Sequence, residues 1–404
     1  MKRKIFIFLL GILSAAIVSG CGKQHVAKCT SPEDNPQHHY LRGMEALEQG
    51  KLDIAKEKFD RALFCEEGFY PAYSGLAIVS AYKVKAQPDP AFSAVENKRV
   101  LDYVKKAGKK AKTDEDKFDH YLSVIRINTI IDGEDWLSKT VDAYDLTKEL
   151  KVDEKKLFYY QGTEAAQYFM GLAYLEALEF QQARDKFAAV LNAKREGKWH
   201  EKADKAWKKT DNIVRAMGGI TVGDVGRKIA IKDSITRGDL AALLIDELKL
   251  DKLFAGRIPA AGQLDKMKAE FTPADILSNE FKDEILTILK WKVRGLEPKY
   301  DETTKAYLFK PVDVVKRGEM ALILEDVLIK LTGDEKIASA YLGHERSPFP
   351  DIRTTATFYN AVMNMTSRSI MESELSGEFR VDAPVSGAES LLAIRMLRQK
   401  INIY

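Results

Sequence analysis

The chain has 404 residues, 45% apolar and 30% charged, enough to bury a core and, at roughly 100–200 residues per domain, to hold two or three domains. It carries 63 basic and 60 acidic residues, a formal charge of +3, and removal of the leader positives Lys2, Arg3 and Lys4 leaves the remainder near neutrality. This excludes a bulk electrostatic nucleic-acid binder, and three cysteines without ligand spacing exclude a disulfide-stapled miniature scaffold and a zinc module.

The first residues have the order of an export signal, a positive end followed by the apolar run Ile5–Val18. A spanning helix needs about 20 apolar residues, so this run is short for a membrane anchor and ordinary for a signal peptide. The run ends in Val18-Ser19-Gly20-Cys21, small residues directly before a cysteine. That end resembles the lipobox of bacterial lipoproteins. The resemblance implies cleavage after Gly20, thioether acylation of Cys21 (palmitate-type chains) and stable membrane attachment through two or three acyl chains. In the enterobacterial sorting pattern an aspartate after the lipidated cysteine retains the protein at the inner membrane. Gly22 stands there, which implies an outer-membrane lipoprotein facing the periplasm. Residues 21–37, with Pro32 and Pro36 among polar neighbours, read as a flexible stalk. Cys29 and Cys65 are left over, and an exported chain leaves them available for a disulfide.

Proline then divides the chain. None occurs from Ala91 to Ile258, while seven of the twelve lie between Pro259 and Pro384. The proline-free stretch, rich in Ala, Leu, Lys and Glu, permits uninterrupted helices. Within the first half, YLRGMEALEQGKLDIAKEKFDRA from Tyr40 matches YFMGLAYLEALEFQQARDKFAAV from Tyr168. Gly43 aligns with Gly171, Ala55 with Ala183 and Phe59 with Phe187, each offset by 128 residues. This resembles the tetratricopeptide repeat (TPR), in which a small residue lets the first helix pack closely and Ala and Phe fill the second helix's contact face. Glu67 stands where that family has a helix-ending proline, and Val190 where it has a small residue. Ser74 to Gln161 is helical in character with degenerate repeats, and stacking would complete a solenoid. The alternative is a generic helical bundle.

The second half alternates short apolar helices with Pro and Gly. SITRGDLAALLIDEL from Ser234 aligns with VVKRGEMALILEDVL from Val314, and VSGAESLLAIRML follows from Val385, with Glu389 opposite Glu319. Leu240, Leu243, Leu244 and Leu248 recur at helical spacing. Upstream of the second and third copies lie Pro273-Ala274-Asp275-Ile276 and Phe349-Pro350-Asp351-Ile352, a helix, and then Phe309-Lys310-Pro311 or Phe379. This order resembles the S-layer homology (SLH) domain, whose three modules commonly form a pseudo-trimeric helical prism. The resemblance implies that Arg237, Arg317, Asp275 and Asp351 line grooves for acidic, typically pyruvylated cell-wall glycans. A guanidinium makes bidentate bonds to a carboxylate, and an aspartate accepts sugar hydroxyls. Gly387 replaces the third arginine, and the family's G-Y-x-D-G loop is missing. The competing reading keeps the motif for helix initiation alone, because Thr236 with Asp239 and Ser386 with Glu389 have capping-box spacing.

Other candidates are weaker. His38, His39, His120, His200 and His344 lack a partner at ligand spacing, and no G-x-S-x-G, H-E-x-x-H, P-loop or G-x-G-x-x-G occurs. Lys105 to Lys112 form a basic stretch followed at once by Asp114, Glu115 and Asp116, which reads as a solvated helix and loop. The expectation is therefore an all-α protein: a signal peptide (1–20), a stalk (21–37), a TPR-like solenoid (38–200) and an SLH-like domain (201–404, modules about 201–254, 272–332 and 347–401). It is expected to be a non-catalytic, lipid-anchored envelope tether without cofactor or metal. Its expected partners are the membrane through Cys21, an envelope protein in the TPR-like groove and a peptidoglycan-linked acidic glycan. A second reading is an accessory lipoprotein that assembles an outer-membrane machine through protein contacts alone.

Overall fold

A computed structural model describes residues 29, 31–87, 89–193, 196–218, 221–255 and 271–401. The leader and the lipidation expected at Cys21 lie outside the described residues. The chain is mostly helical, 63% helix in sixteen helices with two short strands, in keeping with the all-α expectation. Among the described residues no helix is long and apolar enough to cross a membrane.

The first half is a run of antiparallel helix pairs: α1 Pro36–Glu48, α2 Leu52–Cys65, α3 Tyr70–Ala86, α4 Pro90–Lys110, α5 Asp114–Ile131, α6 Trp136–Lys148, α7 Glu164–Glu176 and α8 Phe180–Asn192. Local chemistry starts them where it should. Asn35 caps α1 by accepting from His38 N, with Pro36 in the first turn. Asp89 with Pro90 does the same for α4, and Thr113 and Asp116 make a reciprocal capping box on α5. Gly50, at φ +70°, turns the chain between α1 and α2.

Phe59 explains the first repeat's glycine. It is fully buried, and a Cβ on Gly43 would stand 2.5 Å from its ring. Gly75 on α3, which sequence comparison did not single out, closes on the same ring from the other side at 2.4 Å. Phe187 and Gly171 repeat the contact at 2.6 Å, with Ala55 and Ala183 fully buried beside them. Each phenyl is a wedge that only a bare backbone can accept.

Three further features separate this half from a plain helical stack. Cys29 and Cys65 are joined by a disulfide. From Ser31 on, the segment read as a stalk is held to α2, because Arg61 grips Asp34 through Nε at 3.0 Å and Nη2 at 2.6 Å. Those bonds, with His39 at 2.8 Å, pull the Asp34 carboxyl down to about 2. The link between α6 and α7 buries Leu157, Tyr159 and Tyr160. Tyr159 packs on Tyr40 of α1 and donates to Glu48, and Tyr160 packs on Phe169 of α7. The buried Arg126 of α5 lies 4.8 Å from the Phe169 ring centre and 5.8 Å from that of Tyr159.

α9, His200–Met217, belongs to both halves. Trp199 and Ala203 enter the first core, while Ile213 and Ala216 enter the second. The second half follows with α10 Asp224–Ala230, α11 Arg237–Asp246, α12 Leu250–Ala255, α13 Lys282–Lys290, α14 Arg317–Thr332, α15 Tyr359–Ser367 and α16 Gly387–Lys400. A hairpin of β1 Lys299–Asp301 and β2 Ala306–Leu308, absent from the sequence expectation, precedes α14.

The three repeated segments close a ring of main-chain hydrogen bonds. Ile235 N donates to Val385 O (2.9 Å), Val385 N to Val315 O (3.0 Å) and Val315 N to Ile235 O (3.0 Å). All three side chains are buried where the strands of chain meet, and α11, α14 and α16 leave from that point. The ring satisfies backbone groups that burial would otherwise leave unpaired, and it fixes three modules about one pseudo-threefold centre.

Candidate functional site

The two motif arginines are buried at equivalent module junctions. Arg237 opens α11 and donates to three main-chain carbonyls of the following module: Phe309 O at 2.9 Å, Gly295 O at 2.8 Å and Glu297 O at 2.9 Å. Its guanidinium carbon stands 4.8 Å from the Phe309 ring centre. Arg317 repeats this on α14, donating to Phe379 O at 2.7 Å, Glu372 O at 2.6 Å and the Glu389 carboxylate, with the Phe379 ring at 4.5 Å. Burial pushes the Glu389 carboxyl up, opposed by Arg317 beside it. Both arginines therefore staple one module to the next.

The aspartates are tied down in the same way. Asp275 accepts from Phe309 N at 3.1 Å and Lys310 N at 2.6 Å, and Asp351 from Phe379 N at 3.0 Å and Arg380 N at 2.6 Å. Each clamps the opening of its module to the phenylalanine loop that the arginine also holds. The expectation placed all four residues against a glycan, and the fold gives each of them partners within the chain.

Gly387 has a steric cause. A Cβ at this position would lie 1.8 Å from Ile229 O, and Gly387 N donates to Lys232 O at 2.9 Å. The first module's main chain occupies the space where the other junctions hold an arginine. Sequence alone registers only a missing arginine here. The capping expectation also meets the geometry: Thr236 and Asp239 bond reciprocally, at 2.9 and 3.2 Å. Ser386 accepts from Glu389 N, while the Glu389 carboxylate is turned to Arg317.

Beside the Arg317 staple lies an open cavity of about 750 Å3, walled by the end of α9, the 369–374 loop and one side of α16. Arg215, Arg395, Asn212, Gln399, Ser369 and Ser373 are among its lining. Arg215 is exposed, and among the described residues it has no carboxylate partner. Arg395 donates through Nη1 to Arg215 O, and its Nε is buried without a hydrogen-bond partner. Glu374 is paired with Arg380 at 2.9 Å. The cavity thus presents guanidinium and hydroxyl groups together with the exposed Glu372, while Glu374 and Glu389 are held by Arg380 and Arg317. Sequence reading missed Arg215 and Arg395 because neither lies in a repeated motif; only the return of α9 against α16 brings them together.

The other sequence candidates do not converge. His39 bonds Asp34, His120 packs within 2.9 Å of where a Gly108 side chain would start, and His344 stacks near Tyr341. Cys29, Asp34 and Cys65 bring potential ligand atoms within 4.8 Å, but both sulfurs are bonded to each other.

Comparison with known proteins gives one family match: the S-layer homology domain, over residues 348–389. That segment contains Asp351, α15, the Phe379 loop and the start of α16, the wall of the cavity opposite α9. No curated protein and no solved structure matches the chain.

Proposed function

We propose that this is a non-catalytic protein of the bacterial cell envelope, carried on a membrane by lipid on Cys21, that binds an acidic envelope glycan in the cavity between the end of α9 and its third C-terminal module. The observation that carries the reading is a coincidence of place: the S-layer homology match falls on part of the cavity wall, and that cavity holds the exposed Arg215 guanidinium, which has no carboxylate partner among the described residues. A planar guanidinium recognises a carboxylate with two parallel hydrogen bonds, and serine and amide groups suit sugar hydroxyls. Arg317 and Asp351 act here as framework, so the anion contact shifts from the motif arginines to Arg215, with Arg395 behind it. Arg237 and Asp275 serve the first junction in the same structural role.

The helical stack fits this reading as a spacer between membrane and glycan. Its TPR-like glycine and phenylalanine pairs support a repeat architecture. The face formed by α1, α5 and α7, where such repeats take a partner's segment, carries the chain's own Tyr159 and Tyr160. Protein partners would then meet the stack's outer surface.

The test is co-sedimentation of the chain from Gly22 onward with purified envelope sacculi. The parent should pellet, and Arg215→Ala should weaken binding by about 1.5–3 kcal/mol, the scale of a hydrogen-bonded charge. Pelleting unchanged in Arg215→Ala with Arg395→Ala would move the site elsewhere. No pelleting of a folded parent would leave protein contacts as the function.

A further inference from the structure

The acids that follow the α4 lysines in sequence make their contacts away from the lysine ammonium groups. Asp116 accepts from Lys112 N at 3.0 Å and Thr113 N at 3.1 Å. Asp114 accepts from Lys151 N at 3.1 Å and lies 3.9 Å from Lys117. Glu115 accepts from Asp153 N at 3.1 Å and faces Lys156 at 3.7 Å. The three acids are turned to the cap of α5 and to the link that follows α6. Among the described residues no carboxylate pairs with Lys105, Lys106, Lys109, Lys110 or Lys112, and all five are exposed.

Lys105 and Lys109 continue a stripe from Lys98, since residues seven and eleven positions on fall on one face of a helix. Leu101, 70% exposed, sits on the same outer surface, and the Lys106 ammonium stands over the Tyr73 and Tyr103 rings at 5.5 and 5.9 Å. Five exposed lysines stand here against Asp102 on the helix and Glu66 and Glu67 in the loop below, none of them paired with a lysine ammonium among the described residues. Long basic stems, an exposed leucine and tyrosines are the composition of a surface that rests at a lipid headgroup layer.

The disulfide decides which way that face points. Cys65 ends α2 and is bonded to Cys29. Three residues on, a side chain at Gly68 would begin 3.9 Å from Lys110 Nζ, and Tyr73 under Lys106 donates to Glu67 O at 3.1 Å. The tether therefore reaches the body at the end that carries the lysines. Eight peptide steps from Cys29 back to Cys21 span at most about 29 Å. A body anchored at Cys21 is thereby confined with this face within reach of the bilayer.

We propose that the lysine face of α4 docks on an anionic bilayer surface and orients the tethered body. The proposal rests on the reading that Cys21 is the membrane anchor, while the headgroup contact is a separate interaction that the unlipidated chain retains. The partner is the phosphate layer of acidic phospholipids, because basic groups beside a membrane tether gain most from that surface potential.

The test uses the oxidised chain from Gly22 onward, without lipid, and vesicles of phosphatidylcholine alone or mixed equally with phosphatidylglycerol. Binding should require phosphatidylglycerol, weaken with salt, and fall by about tenfold or more when the five lysines are replaced together by glutamine, since each contributes on the order of a few-fold. The variant's helical circular dichroism should match the parent's, because all five side chains are exposed. Equal binding to both vesicles, binding unchanged by the substitutions, or retention only on soluble polyphosphate would each overturn the proposal. Mass spectrometry of the full chain from membranes tests the anchor separately: an unacylated Cys21 removes the tether, and the vesicle result still stands or falls alone.

Discussion

The two halves of this molecule solve the same problem, burying an arginine, in opposite ways. Arg126 in the helical stack is enclosed by the Tyr159 and Phe169 rings and reaches a single phenol, Tyr160, at 3.4 Å. Arg317 in the prism donates to two carbonyls and a carboxylate drawn from a module that begins tens of residues later. The stack is built from neighbours, helix against next helix, with Phe59 between Gly43 and Gly75 as its unit. The prism is built from distant segments closed into a ring at Ile235, Val315 and Val385. Damage should therefore stay local in the stack and spread through the prism, with α9 as the shared element.

The largest test of that contrast is reduction of Cys29–Cys65. The bond closes a loop with a sequence separation of 36 residues, and in the chain-entropy model its loss costs about 4 kcal/mol. Calorimetry in reductant should lower the transition of the stack and leave that of the prism in place. Arg317→Ala should do the reverse. It removes the partner of the half-buried Glu389 and frees two carbonyls, at a cost of about 3 kcal/mol. All three modules should unfold together. A prism that loses only its third module would break the ring account.

A third prediction concerns pH and belongs to the stack. Asp119 on α5 is buried, its Oδ1 has no partner, and burial with Asp116 nearby pushes its carboxyl up to about 8. The native chain then holds a proton that the unfolded chain releases near the ordinary aspartate value. Stability contributed by the neutral acid is thus complete at low pH and is lost as pH rises from about 4 toward 8. Denaturant titrations should show the stack weakening across that window, and Asp119→Asn should flatten the slope. A slope unchanged in the variant would assign it to another group.

Much of this was legible from residues, for reasons the contrast makes clear. Local rules placed the repeats: Asn35-Pro36 and Thr113 with Asp116 start helices wherever they occur, and Gly43 with Phe59 announces a close contact. The two R-G-D/E helices and their third, arginine-free copy revealed the modular half, because a repeated motif survives without knowledge of what it touches. What was hidden depends on chain returning from afar. Gly387 looked like a lost binding residue until Ile229 O was found in its side chain's place. For Asp275 and Asp351 nothing in the sequence signalled the Phe309 and Phe379 loops that come back to meet them. Arg215 carried no signal at all, since its significance is α9 crossing beside α16. The lysine face was hidden too: the acids next to the lysines in sequence bond main-chain N–H groups and not the lysine ammonium groups.

The most direct test of glycan binding in the prism is hydrogen exchange of the chain from Gly22 onward, with and without solubilised envelope glycan. The account predicts slower exchange at residues 369–374 and along α16, little change in α1–α6, and loss of that protection in Arg215→Ala. Protection confined to the helical stack, or none while glycan remains bound, would contradict it.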